Sequence, residues 1–369
     1  MDSQPAALER QGEASALADL RWLLLSPPLL DDAAWPEPLS HHRWHAGQAD
    51  RVREWLDGLP ADAAWRQWWD AWQPPSGPPG RWDRMRLGRR AEALLSFYLA
   101  HGPLHRLMDQ HRPLRAWDEQ AQALKTLGEI DFLLLDPPAV QAGADAGLPA
   151  GPETAERVAA AGRDGVTGTG RHWELAVKFY LCLRTQGQAQ ASDYWGPDLE
   201  EHFPVKLDKL LRHQLRQGPA VPWRSGAFLP QALTRGCMFH AWDGGVTPWE
   251  GLSPCHERGH WMVLEEADDG RDLVPGRWSL LDRRTWLGGA GLDDALNAAP
   301  AAEAQATLST AGLLAQLRAM WSAPAPRGAR HWPSGQMAVG PHPDGSGRRA
   351  RWFFLPPGWS ARAARKMGG

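Results

Sequence analysis

Apolar positions along the chain change period several times, and each change marks a different kind of element. Residues 13–25 (EASALADLRWLLL) repeat with helical spacing and stop at Pro27-Pro28. Helices are also expected at about 48–58, ending at Gly58, and over Asp62–Trp72, ahead of the breaker Pro74-Pro75-Ser76-Gly77-Pro78-Pro79-Gly80. Within Arg84–His101, Leu87, Ala91, Leu94, Leu95, Tyr98 and Leu99 form one apolar stripe, closed by Gly102-Pro103.

The pattern then turns to strands. Leu127–Pro137 holds a short apolar run, Glu-Ile-Asp-Phe-Leu-Leu-Leu, bounded by Gly128 and proline. Residues 137–170 are rich in Pro, Ala and Gly and read as a long surface loop. His172–Leu183 alternates most cleanly. Trp173, Leu175, Val177, Phe179 and Leu181 take one face, and His172, Glu174, Ala176, Lys178 and Tyr180 take the other. A helix is expected from about Pro204 to Gln217, with Leu207, Leu210, Leu211 and Leu215 on its buried side and Gly218 as its cap.

Beyond residue 219 the chain reads as mostly β. Strands are expected at Cys237–Trp242, His260–Leu264 and Trp278–Leu281, and a helix at about 301–321. A hairpin of Gln336–Gly340 and Arg351–Leu355 turns at Asp344-Gly345, and the tail from Ser360 is expected to fray. No fixed-period repeat is present. These boundaries divide the chain into an N-terminal helical region (1–80), a core (81–242), a β-rich extension (243–358) and a tail (359–369).

Composition narrows the classes. With 369 residues and 43% hydrophobic content, a sizeable core can form. The net charge of −3 argues against a protein that coats duplex DNA, so a nucleic-acid surface would be a local patch. Cys182, Cys237 and Cys255 are too few for a disulfide framework. The N-terminus lacks the basic and apolar regions of a secretory signal, and no apolar run approaches membrane-spanning length. A soluble, cytoplasmic protein is expected. The 22 tryptophans, several closely spaced (Trp65, Trp68, Trp69, Trp72), fit helix faces packed with indoles; base-stacking platforms are the functional alternative.

Asp131 on one strand, and Glu174 with Lys178 on one face of the next, supply what metal-assisted phosphodiester hydrolysis needs. Carboxylates hold a hard cation, and an ammonium stabilises charge in the transition state. Gly128-Glu129-Ile130-Asp131, followed by a strand with Val177-Lys178, resembles the PD-(D/E)XK nuclease superfamily. That resemblance implies an α/β (α+β) fold with a restriction-endonuclease-like αβββαβ core over about 85–242. It also implies that Glu92, on the preceding helix, joins the site. More narrowly, LGRRAEALLSFYL, TLGEIDFLLLD, HWELAVKFYL, RWSLLDRRTWL and RWFFLPPGW are similar to a bacterial family, domain of unknown function 1853, over about 15–360.

The resemblance implies Mg²⁺ (or Mn²⁺) held by Asp131 and Glu174, and DNA or RNA as partner. Glu92, Asp131, Glu174 and Lys178 are the catalytic candidates. There is one departure: Ala176 occupies the place of the superfamily's last acid. Glu174 and Lys178 are then about 13 Å apart along a regular strand, against about 7 Å for the usual spacing. The alternative is an inactive nuclease-fold protein that binds nucleic acid or acts as a scaffold. Lys206, Lys209, Arg212, His213 and Arg216 on the next helix are candidates for phosphate contacts, or else a solvated helix face.

Two further patterns carry little weight. His256-Glu257-Arg258-Gly259-His260 has the letters of HExxH but reads as loop and strand, not helix. Cys237, His240, Cys255, His256 and His260 do not follow a standard zinc-finger order.

Overall fold

Long alternating strands dominate the computed structural model, with helices concentrated in the first third of the chain. The structure describes residues 3–31, 40–72, 82–120, 122–136, 170–216, 228–265, 273–288, 307–322 and 335–367. The expected loop at 137–170 lies outside them except for Gly170, as do the Gly218 cap and the start of the helix expected at 301. Among the described residues, eleven strands of mixed direction are hydrogen-bonded into one sheet, and a separate parallel pair joins Gln186–Gln188 to Gly245–Thr247. The protein is thus mixed α/β, with N-terminal helices and a large mixed sheet.

The chain divides into two compact units. One comprises residues 31–177 and 207–234; the other comprises 1–30, 178–206 and 235–369. The strands Gly170–Cys182 and Leu229–Ala241 contribute residues to both.

In the unit of 31–177 and 207–234, helices span Ala46–Gly58, Ala63–Asp70 and Leu87–His101. Asp62 caps the second of these, accepting the N–H groups of Ala64 and Trp65. The Leu87–His101 helix buries Ala91, Leu94, Leu95, Tyr98 and Leu99 of the stripe its spacing predicts, while Leu87 in its first turn is only half-buried. Trp65 and Trp69 are buried; Trp65 stacks on Trp68 at 5.2 Å, and Phe97 meets Trp65 edge-on at 5.2 Å. These closely spaced indoles therefore fill a core. Next come the antiparallel strands Arg106–Asp118 and Ala123–Leu135, the second pairing with Gly170–Cys182. The first of these went unpredicted, because RLMDQHRPLRAWD is polar and Pro113 interrupts it. Proline is tolerated there because the strand is at the sheet edge.

In the other unit, Leu308–Ser309, Arg277–Leu280, Gln336–Pro341 and Arg349–Leu355 pair antiparallel in that order. Glu257–Val263 follows, parallel to Arg349–Leu355 and to the end of Leu229–Ala241. Trp278, Trp352, Phe354 and Met262 pack against Leu313, Leu314 and Leu317 of the helix Thr310–Ser322.

Two buried arginines satisfy backbone carbonyls in this unit. Arg235 donates to Leu23 O (2.8 Å) and Leu24 O (3.3 Å), acceptors that the helix Ser3–Leu25 leaves without intrahelical donors at its C-terminal end. Arg351 pairs with Glu257 and donates to Trp286 O and Leu287 O. The tail expected to fray is a helix, Trp359–Met367. Its start is held by the buried Trp359, whose indole donates to Pro197 O at 2.9 Å. His260 lies on a strand, as expected, which removes the helical HExxH geometry.

Candidate active site

Glu92, Asp131 and Glu174 all belong to the unit of residues 31–177 and 207–234. The strand register explains how two of them meet. Ladder pairing between Ala123–Leu135 and Gly170–Cys182 runs from Leu135↔Gly170 to Phe132↔Trp173. One residue beyond the last ladder pair on each strand stand Asp131 and Glu174. There the side chains engage the backbone. Asp131 N–H donates to Glu174 Oε1 (3.2 Å), and Leu175 N–H donates to Asp131 Oδ2 (2.9 Å).

Like charges close together on paired strands repel, and burial strengthens the repulsion. Glu174 is fully buried. Desolvation, then the Glu174 charge, pushes the Asp131 carboxyl up to about 8. Desolvation pushes Glu174 up to about 8 as well, opposed by hydrogen bonds from Asp131 and Gln214. At neutral pH the pair therefore retains a proton, unless a cation takes its place.

Two unpredicted residues hold Glu174. His172 Nε2 lies 2.7 Å from Glu174 Oε1, and Gln214 Nε2 donates to Oε2 at 2.7 Å. Burial lowers His172 to about 4, so the imidazole is neutral. Among the described residues its buried Nδ1 has no hydrogen-bond partner. His172 was visible two residues before Glu174 on the same strand face. Gln214 had no sequence signal. It is carried inward because the helix Phe203–Asp208 widens into a π turn over Lys209–Gln214.

Glu92 sits on the Leu87–His101 helix, 2.7 Å from Arg89 Nη1, and its charge adds to the upward push on Asp131. His111 opposes that push. It lies 3.4 Å from Glu129 Oε1 and occupies the left-handed region (φ 51°), an uncommon conformation inside a strand.

Lys178 belongs to the other unit, where its ammonium is 3.9 Å from Glu201 Oε2; Lys206 lies 3.1 Å from Oε1 of the same residue. Arg212 pairs with Asp208 at 2.8 Å, and His213 approaches Asp208 at 3.9 Å. Lys209 and Arg216 are exposed. The π turn changes the angular spacing along this helix, so the basic residues do not form one α-helical row.

Among the described residues, no three His, Cys, Asp or Glu side chains are placed to hold one metal ion. This covers the described Cys and His residues of the zinc pattern; Cys237 is buried in its strand. The carboxyl pair offers a different donor set, two hard oxygen ligands. That set suits Mg²⁺, which binds through one or two carboxylates and keeps several waters.

Fold and site together define a mixed α/β chain with two carboxyls close together on neighbouring strands, one of them fully buried. The chain belongs to the family described as a domain of unknown function (DUF1853), which it matches over residues 18–141 and 164–334. No curated protein and no solved structure matched it. Among the described residues, no helix is long and apolar enough to cross a membrane.

Proposed function

We propose that this protein is a divalent-cation-dependent phosphodiesterase acting on DNA or RNA, with Asp131 and Glu174 as ligands of Mg²⁺ or Mn²⁺. The observation that carries this reading is the apposition of two carboxyls, one fully buried, whose proton affinity is raised chiefly by burial and, at Asp131, by repulsion from the Glu174 charge. A dication relieves that repulsion as a proton does. Chain order supports the reading too. From Leu87 to Ala241 the main elements run helix, strand, strand, strand, helix, strand, the order of the PD-(D/E)XK core. In that run of elements Asp131 and Glu174 fall on the second and third strands.

When bound, such an ion supplies Lewis acidity toward a phosphodiester oxygen. The chain's own residues do the positioning. His172 and Gln214 fix the Glu174 carboxyl from two sides, and the Leu175 N–H fixes Asp131. Glu92 adds negative charge beside Asp131 and raises the local affinity for a cation.

A second reading, nucleic-acid binding without hydrolysis, draws support from Ala176 in the usual acid position and from the Lys178–Glu201 contact. Cleavage assays separate the two. Purified protein with Mg²⁺ or Mn²⁺ is expected to cut labelled single- or double-stranded DNA or RNA, and Asp131→Ala to abolish cutting. Equal cutting by the variant would expose a contaminant and reject the proposal.

A further inference from the structure

The most exposed large apolar side chains among the described residues of the unit of 31–177 and 207–234 gather at one place. Trp117, Leu124 and Leu127 are 58%, 61% and 59% exposed. All three lie at the outer end of the strand pair Arg106–Asp118 and Ala123–Leu135. The register pairs Trp117 with Leu124 and Arg115 with Thr126. Nearer the site, Gln110 pairs with Phe132 and Arg112 with Ile130, so His111 stands opposite Asp131.

Alternate residues of a strand share a face, so His111, Pro113, Arg115 and Trp117 lie on one side of this ribbon. A register slip beside Leu114/Arg115 inserts Leu127 as an extra residue in the partner strand, which returns Thr126 and Leu124 to that side. One face therefore runs from Asp131 and His111, past Glu129, to Arg115 and Trp117. His111 to Trp117 spans about 20 Å at strand rise. A stacked nucleic-acid strand rising about 3.4 Å per nucleotide covers that distance with roughly six nucleotides.

We infer that this face is a track for single-stranded nucleic acid leading to the Asp131–Glu174 pair, with Trp117 stacking on a base and Arg115 contacting phosphate. The inference rests on the phosphodiesterase reading. An exposed indole beside a guanidinium matches the alternation of base and phosphate, and stacking on it needs an unpaired base. Glu129 shares the face, and its charge confines phosphate contacts to the outer stretch. A second copy of the chain fits less well. Arg106–Asp118 is the edge strand, but Pro113 removes a donor at mid-strand, and the exposed Arg112 and Arg115 disfavour pairing with another edge.

The test is fluorescence anisotropy of the full-length protein with a labelled single strand of roughly 20 nucleotides, longer than one binding site. It is run in chelator, as DNA and as RNA of the same sequence, with the DNA duplex as comparison. Trp117→Ala is expected to weaken single-strand binding about ten- to hundredfold, and Trp117→Tyr to keep most of it. Arg115→Ala is expected to reduce the salt dependence by about 0.7 in log–log slope. The DNA and RNA arms show which strand is preferred.

Unchanged affinity in Trp117→Ala, or no single-strand binding by the wild type, overturns the track. So does a wild-type dimer, seen by sedimentation velocity, that Trp117→Ala dissociates without changing oligonucleotide affinity. Cutting that depends on Asp131 while Trp117 is neutral rejects the track and keeps the site. Trp117-dependent binding without Asp131-dependent cutting does the reverse.

Discussion

Replacing Asp131 by Asn keeps the side chain's shape and removes one of two neighbouring carboxyls. In the wild type, both carboxyls are pushed up to about 8, chiefly by burial and, at Asp131, by its neighbour's charge. The folded state therefore keeps protons that the unfolded chain releases above about pH 4. Stability from this source is complete below that pH and is lost as pH rises through about 8. One retained proton corresponds to a slope of about 1.4 kcal/mol per pH unit. Between pH 5.5 and 7.5 the wild type is expected to lose roughly 2–3 kcal/mol more than Asp131→Asn. That is an upper figure, because Asp131 is partly exposed. For a unit of this size the difference amounts to roughly 4–10 °C in Tm. The assay is thermal unfolding of both proteins in chelator at several pH values across that range. Parallel Tm curves would refute the claim that Asp131 keeps its proton in the folded state near neutral pH.

Two further outcomes test the other unit. Arg351→Ala breaks the buried pair with Glu257 and strips donors from Trp286 O and Leu287 O, so a loss of about 3–5 kcal/mol is expected in urea unfolding; Arg351→Met should cost less than Arg351→Ala, because it retains packing volume. Gly236→Ala would set a Cβ 1.7 Å from Lys178 O at a residue with φ +150°, and is expected to give insoluble protein or a loss above roughly 3 kcal/mol; a near-neutral variant in the same measurement would show that the two backbones separate easily.

Much of the fold was legible where periodicity was strong. The Leu87–His101 helix and a strand over His172–Leu183 both appear in the structure within a few residues of their expected bounds, but burial along the strand does not alternate as its sequence does. Asp131 and Glu174 were legible as polar residues embedded in apolar strands. Their apposition was not, because it depends on cross-strand register, which a single sequence does not encode locally. His172 was visible but had no assigned partner, and Gln214 reaches Glu174 only through a π turn. The edge strand Arg106–Asp118 was hidden because its outward-facing residues are polar and it contains a proline.

Calorimetric titration of Mn²⁺ into the full-length protein at about neutral pH tests the central claim most directly. The account predicts saturable binding with release of protons from the carboxyl pair, the proton count showing as buffer-dependent heat, and loss of that signal in both Asp131→Asn and Glu174→Gln. Absence of binding by the wild type, or binding that both variants retain in full, would contradict it.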